Sequence, residues 1–158
     1  RILIATFNEV FDHTTVWYFT QYPTHFVIAV GTPERTAVDL TELDERIKRI
    51  SDDLRSIKVD DAYEVAGMLL LGEEDVDRLV AGAPIHTDNH PILEFSDMDL
   101  YTQVDVAPNL GQLLGYQKEN LGGYFTGSNR QLATLRRHFN DYRRNYLNYV
   151  RAYDEAAQ

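Results

Sequence analysis

Thr14-Thr15-Val16-Trp17-Tyr18-Phe19 and Phe26-Val27-Ile28-Ala29-Val30 are the two runs on which the fold class turns. Both are dense in β-branched and aromatic residues, which fit a pleated and packed surface, so both are expected as strands. Thr20-Gln21-Tyr22-Pro23-Thr24-His25 joins them, and Pro23, lacking an N–H, is excluded from a central ladder. Apolar residues fill consecutive positions in each run, so cover is expected on both faces, as in an α/β sheet. A two-stranded ribbon is marginal in water. The pair therefore requires further strands or a second copy of the chain.

Around this pair the periodicity is helical. Leu3, Phe7 and Val10, with Phe11 beside them, mark a helix over residues 2–11. No Ser, Thr, Asp or Asn precedes Leu3 to cap it, so residues upstream of Arg1 are expected. After a loop from Gly31 to Asp39, Thr41 is the expected cap of a helix, with Asp44 three residues on. Its stripe is Leu43, Ile47, Ile50, Leu54 and Ile57. A second helix is expected from Asp61 to Leu71, stopped by Gly72, and a third from Glu73 to Val80. That third helix has acids in its first turn and Gly82 after its end. Residues 83–95 read as a loop entering a short strand, a helix is expected near Leu110–Glu119, and Gly122–Gly127 reads as a flexible connector. The last helix has the clearest signal: Ser128 and Gln131 form a capping box. Leu132, Leu135, Phe139, Tyr142, Tyr146, Tyr149 and Tyr153 then recur three and four apart.

Composition narrows the function classes. The 158 residues are 44% hydrophobic and 25% charged, typical of a globular domain or of a piece of a larger one. No apolar run approaches the roughly 20 residues of a membrane span. The absence of cysteine removes disulfides, thiolate metal sites and thiol catalysis. With 15 basic and 25 acidic residues the net charge is −10, which disfavours a nucleic-acid surface. Residues 128–158 carry six Arg against Asp141, Asp154 and Glu155, a net of +3. The first 127 residues therefore hold nine basic and 22 acidic side chains, a net of −13. The two parts are electrostatically complementary, to each other or to different partners.

One cluster has ligand chemistry. His86, Asp88 and His90 alternate, and on an extended segment residues two apart point the same way and could converge on zinc or iron(II). Against this, Pro91 follows at once, and a polar turn held by Asp88 and Asn89 accounts for the same residues. The nine glycines form neither G-x-G-x-x-G nor a phosphate-binding loop, so no cofactor cradle is encoded. Arg130, Arg137, Arg144 and Arg151 are spaced by seven on the last helix, a row that reads first as a solvated face. An anionic membrane or an acidic partner is the alternative. The tyrosine stripe reads as a packing face, half-wet because buried Tyr keeps a polar partner.

Ala83-Pro84-Ile85-His86-Thr87-Asp88-Asn89-His90-Pro91-Ile92-Leu93-Glu94-Phe95 is similar to the C-terminal end of spermidine synthase-like proteins, the polyamine aminopropyltransferases, particularly the forms fused to membrane domains. Thr87, Asp88, Pro91, Leu93, Glu94 and Phe95 match the family's pattern, whereas His86 and Asn89 depart from it. Thr6-Phe7-Asn8-Glu9-Val10-Phe11-Asp12-His13 and then Val16-Trp17 resemble the family's helix and strand, where Phe-Pro-His and a later Trp are typical, and the hairpin around Phe26–Gly31 resembles its last strand. The likeness covers about residues 1–100.

The resemblance implies an α/β fold, or α+β for this piece: the edge hairpin and helices of a Rossmann-like methyltransferase fold, followed by a helical tail. Residues 1–100 would be the C-terminal part of the spermidine synthase-like domain, 101–127 a connector with a short helix, and 128–158 an amphipathic helix. The family binds decarboxylated S-adenosylmethionine through a glycine-rich loop that precedes the matched part, as does its catalytic aspartate segment. This chain would accordingly bind no cofactor and would not catalyse by itself. Tyr22-Pro23 resembles a Tyr-Pro in the loop that contacts the amine, which makes Tyr22 the one substrate-binding candidate. The implied partners are the N-terminal part of the parent protein and a second copy of the chain, not nucleic acid. The implied location is cytoplasmic, with a membrane tether only through an upstream domain. The alternative is a non-enzymatic, helix-rich binding or oligomerisation module.

Overall fold

The expected strand pair forms, and a third strand, which the sequence reading places in a helix, joins its sheet on the β1 side. The computed structural model describes residues 1–19, 26–92, 106–118 and 120–156. Helix α1 (Ile2–Val10) buries Ile4 and Ala5 and receives no side-chain cap from Arg1. Strands β1 (His13–Trp17) and β2 (Ile28–Thr32) run antiparallel, with Thr15 opposite Val30 and Trp17 opposite Ile28. On β1 the period-two rule holds: Thr14 and Val16 are buried, while His13, Thr15 and Trp17 are half-buried on the other face. The ring of Phe11 lies directly over Gly31, where an added Cβ would stand 2.3 Å from it. Only glycine lets the end of α1 sit this close to β2.

The next stretch departs from expectation in three places. Short strand β3 (Val38–Asp39) runs into α2 (Leu40–Arg49), so the helix begins before Thr41. Its cap is Asp39, whose Oδ1 accepts from the N–H groups of Thr41 at 2.8 Å and Glu42 at 2.9 Å. The expected single helix then breaks at Ile50 (φ −120°, ψ 22°), and α3 (Ser51–Ser56) follows. Leu40 and Ile47 are buried, but Ile50 and Ile57 are about half exposed. With the far end of the stripe this exposed, little burial supports it, and periodicity alone does not hold one continuous helix. Third, α4 (Ala62–Gly67), capped by Asp61, ends short, and Leu69–Leu71 forms strand β4. A run of three leucines carries no period that separates strand from helix.

Helix α5 (Glu73–Val80) ends as read: Gly82 takes φ +69°, and the Ala83 N–H donates to the Val80 carbonyl at 2.8 Å. Helix α6 starts earlier than expected and spans Val106–Tyr116. The expected flexible connector is packed instead. A 3₁₀ turn over Leu121–Tyr124 leads into β5 (Phe125–Thr126), which pairs in parallel with β3, and Leu121, Tyr124 and Phe125 are buried. Helix α7 (Asn129–Ala156) opens on the predicted capping box. The Ser128 N–H donates to Gln131 Oε1 at 2.8 Å, and the Gln131 N–H donates to Ser128 Oγ at 3.3 Å.

The result is a mixed helix-and-sheet fold with sheet order β2-β1-β4. Two apolar clusters fill it. Ile4, Val16, Tyr18, Leu70, Leu71, Val76, Leu79, Leu110, Leu114 and Tyr146 form the first, and Leu40, Ala66, Leu69, Leu121, Tyr124, Phe125 and Leu135 form the second. Helix α7 reaches both, through Tyr146 and Leu135, so it is part of the body. Its approach to α4 rests on Gly67, where a Cβ would stand 2.1 Å from the Tyr142 ring. No helix among the described residues is long and apolar enough to cross a membrane.

Tyr146 is 8% exposed, stands edge-on to Tyr18 at 5.4 Å between ring centres, and its hydroxyl has no hydrogen-bond partner among the described residues. Burial pushes its phenol pKa up, with Tyr18 and Tyr142 adding to the effect. An unsatisfied buried hydroxyl opposes folding, so removing it is favourable or neutral. Tyr146→Phe is expected to leave stability unchanged or to raise it by up to about 1 kcal/mol in urea denaturation; a clear loss would reveal a partner for the hydroxyl.

A pH effect follows from the α2 cap. The N–H of Glu42, helped by that of Thr41, holds the Asp39 carboxyl below its ordinary 3.8, with slight burial opposing. A depressed folded-state value gives stabilisation that is complete above pH 3.8 and fades as the pH falls through the lowered value. Thermal unfolding at a series of acidic pH values should show this fall, and Asp39→Ala should flatten that part of the profile.

Candidate functional site

A polar cluster gathers on the half-buried face of β1 that carries His13. Glu73, the first residue of α5, is placed by Gly72 at the helix N-terminus, where a carboxylate is favoured. Its Oε2 lies 3.0 Å from His13 Nδ1 on β1, and its Oε1 lies 3.7 Å from Arg35 Nε. The Arg35 guanidinium sits 5.3 Å from the centre of the Tyr124 ring, a cation–π contact. The Tyr124 hydroxyl in turn accepts from the Glu73 N–H at 2.6 Å. One residue thus ties β1, the loop after β2 and the 3₁₀ turn to α5.

His13, Glu73 and Tyr124 border a hollow of about 140 Å³ against the ribbon, walled by Trp17, Val30 and Val38. An imidazole held by a carboxylate is the unit of general acid–base chemistry. The hollow, however, is below the roughly 300 Å³ at which small-molecule sites begin. The arrangement therefore acts as a tether that fixes the ribbon over its partners. Trp17 contributes by donating from Nε1 to Thr15 Oγ1 at 2.9 Å and meeting Phe125 edge-on at 6.4 Å.

Beside the hollow the ribbon is open. Strand β2 pairs with β1 alone among the described residues. Ile28 is 60% and Val30 40% exposed, and Phe26 and Val27 before them are exposed too. Ile28 and Val30 stand opposite Trp17 and Thr15, on the face away from α1. An unpaired edge with adjoining apolar side chains is a template for another strand.

The sequence-based candidates lie elsewhere. Tyr22 falls outside the described residues, as do Pro23 and the matched Leu93, Glu94 and Phe95. His86, Asp88 and His90 do not converge: no group of three His, Asp or Glu side chains among the described residues is placed to hold a metal ion. The segment is not extended there. Thr87 and His90 form an isolated antiparallel bridge across Asp88-Asn89, with the His90 N–H donating to the Thr87 carbonyl at 2.9 Å. That turn destroys the two-residue alternation on which convergence depended. Its closing bonds come from Thr87, whose Oγ1 also accepts from the His90 N–H at 3.1 Å. His86 serves as a docking point, its N–H donating to Thr6 Oγ1 on α1 at 2.9 Å.

No local signal marks the Glu73 tether, because His13 and Glu73 are 60 positions apart and meet only through the sheet. No family model, curated protein or solved structure matches the chain.

The tether makes a quantitative expectation. Glu73→Ala removes the acceptor of His13 and Arg35 together and should cost about 1–3 kcal/mol in chemical denaturation. Glu73→Gln, which keeps an oxygen for His13, should lose less; equal losses would assign the effect to packing.

Proposed function

We propose that this chain is the C-terminal edge of a spermidine synthase-like α/β domain, and that it completes that domain rather than catalysing alone. The observation that carries the reading is the open β2 edge with exposed Ile28 and Val30. In a Rossmann-like methyltransferase sheet, α1 and the β1–β2 ribbon correspond to the last helix and final strand pair. Further strands of the parent sheet would then pair with β2, and helices of the parent packed on that sheet would cover its apolar face. The resemblance of residues 1–100 supplies the identity of that sheet, and the open edge supplies the physical need for it.

The parent reaction would move an aminopropyl group from the sulfonium carbon of decarboxylated S-adenosylmethionine to an amine. That substitution requires a neutral amine nucleophile, held in line, and a carboxylate to accept its proton. The glycine-rich loop and the aspartate segment that meet these needs in the family are not among the residues of this chain. Tyr22 is the position through which this piece would touch the amine. An acidic body of net −13 over residues 1–127 would attract a polyamine cation.

The same edge favours a second reading, in which β2 pairs with β2 of another copy and the chain is an assembly module. Two measurements separate these readings. Aminopropyl transfer to putrescine should be undetectable with the 158-residue chain, and activity from it would overturn the proposal. In hydrogen exchange, the β2 amides facing away from β1 should exchange fast in the isolated chain. They should become protected when the N-terminal part of an aminopropyltransferase is added. Protection without that addition, together with a dimer by light scattering, would favour the assembly module.

A further inference from the structure

A cleft of about 400 Å³ opens between the end of α6 and the middle of α7, away from the ribbon. Arg136, Phe139, Asn140 and Arg143 line it from α7, at spacings that put them on one helix face. Gln117 and Lys118 line the opposite side. In a chain of net charge −10, three cations thus face one cavity. Among the described residues no carboxylate lines the cleft or pairs with any of the three.

The site is built rather than incidental. Arg143 donates from Nη1 to Gln117 Oε1, and Gln117 Nε2 donates to the Leu70 carbonyl of β4 at 2.9 Å. The Lys118 N–H donates to Oδ1 of the fully buried Asp75 at 2.8 Å. One of the three cations, Arg143, is therefore held through its guanidinium before any ligand arrives, and the backbone that carries Lys118 is anchored beside it, which lowers the ordering cost of binding. Guanidinium forks match phosphate oxygens two at a time, and Lys adds a point charge. The volume lies within the range of small-molecule sites, and Phe139 gives the cleft an apolar wall.

We infer that this cleft binds a phosphorylated small molecule, its phosphate between Arg136, Arg143 and Lys118 and its organic part against Phe139. The site is independent of the open β2 edge. It also differs from the arginine row at 130, 137, 144 and 151, of which Arg144 is already paired with Asp141 at 2.6 Å.

Isothermal titration of the full chain with ADP, and separately with inorganic phosphate, tests the inference. ADP should bind with a dissociation constant below about 1 mM at low salt, weakening as salt rises. Arg136 is exposed and lies outside both apolar clusters, so Arg136→Ala should fold normally and weaken binding at least about tenfold, the loss of a charged hydrogen bond. Arg143→Gln should weaken it similarly, while Arg137→Ala, one position round the helix, should leave it unchanged. The inference is overturned if neither ADP nor phosphate binds at millimolar concentration, or if Arg136→Ala and Arg137→Ala weaken binding equally. Binding to phosphatidylserine vesicles without binding to ADP would also overturn it and assign the cations to a membrane surface.

Discussion

Burial of Leu69, Leu70 and Leu71 on both sides of a three-residue strand is the constraint on which the rest of the structure depends. None of the three is more than 2% exposed, and each contributes about 1.5–3 kcal/mol by leaving water. Leu69 belongs to one apolar cluster, and Leu70 and Leu71 belong to the other. A strand this dry must satisfy its backbone internally. On one side β1 does so, with the Tyr18 N–H donating to the Met68 carbonyl at 2.8 Å just ahead of the ladder. On the other side the Leu70 carbonyl is met by Gln117. The glutamine that closes this edge also holds Arg143, so the cationic cleft is a by-product of finishing the sheet.

Where local chemistry decides structure, the residues could be read directly. The capping box at Ser128 and Gln131, the acid-rich start and glycine end of α5, and the strand pair all depend on neighbours within a few positions. The errors share the opposite property. Asp39 outranks Thr41 as a cap because it precedes a helix whose start is set by pairing of β3 with the distant β5. Ile50 breaks a periodic stripe whose far end stays half exposed. Gly122–Gly127, rich in flexible residues, is ordered because Leu121, Tyr124 and Phe125 find a cluster built from remote segments. Nothing local encodes an encounter across many tens of residues.

The same distinction separates the candidate sites. His86, Asp88 and His90 made a pattern in sequence that a single turn dismantles, whereas His13, Arg35, Glu73 and Tyr124 made none and converge. The two faces of the ribbon differ for a comparable reason. Toward α1, Gly31 accepts the Phe11 ring and the face closes. Away from it, Val30 borders the small hollow, and among the described residues both Ile28 and Val30 stay exposed.

The position of β1 between a near neighbour and a far one has a consequence in time. β2 follows β1 within a hairpin's reach, but β4 is more than 50 residues downstream, and the α1–His86 bond closes a span of 80. Contacts this distant are slow to form, and they wait on synthesis as well as on diffusion. On the ribosome β1 therefore emerges with its β4 side unpaired. Leu71 ends that interval on one side by zipping onto Val16. For a nascent chain, the order in which edges close governs whether it meets itself or another copy first.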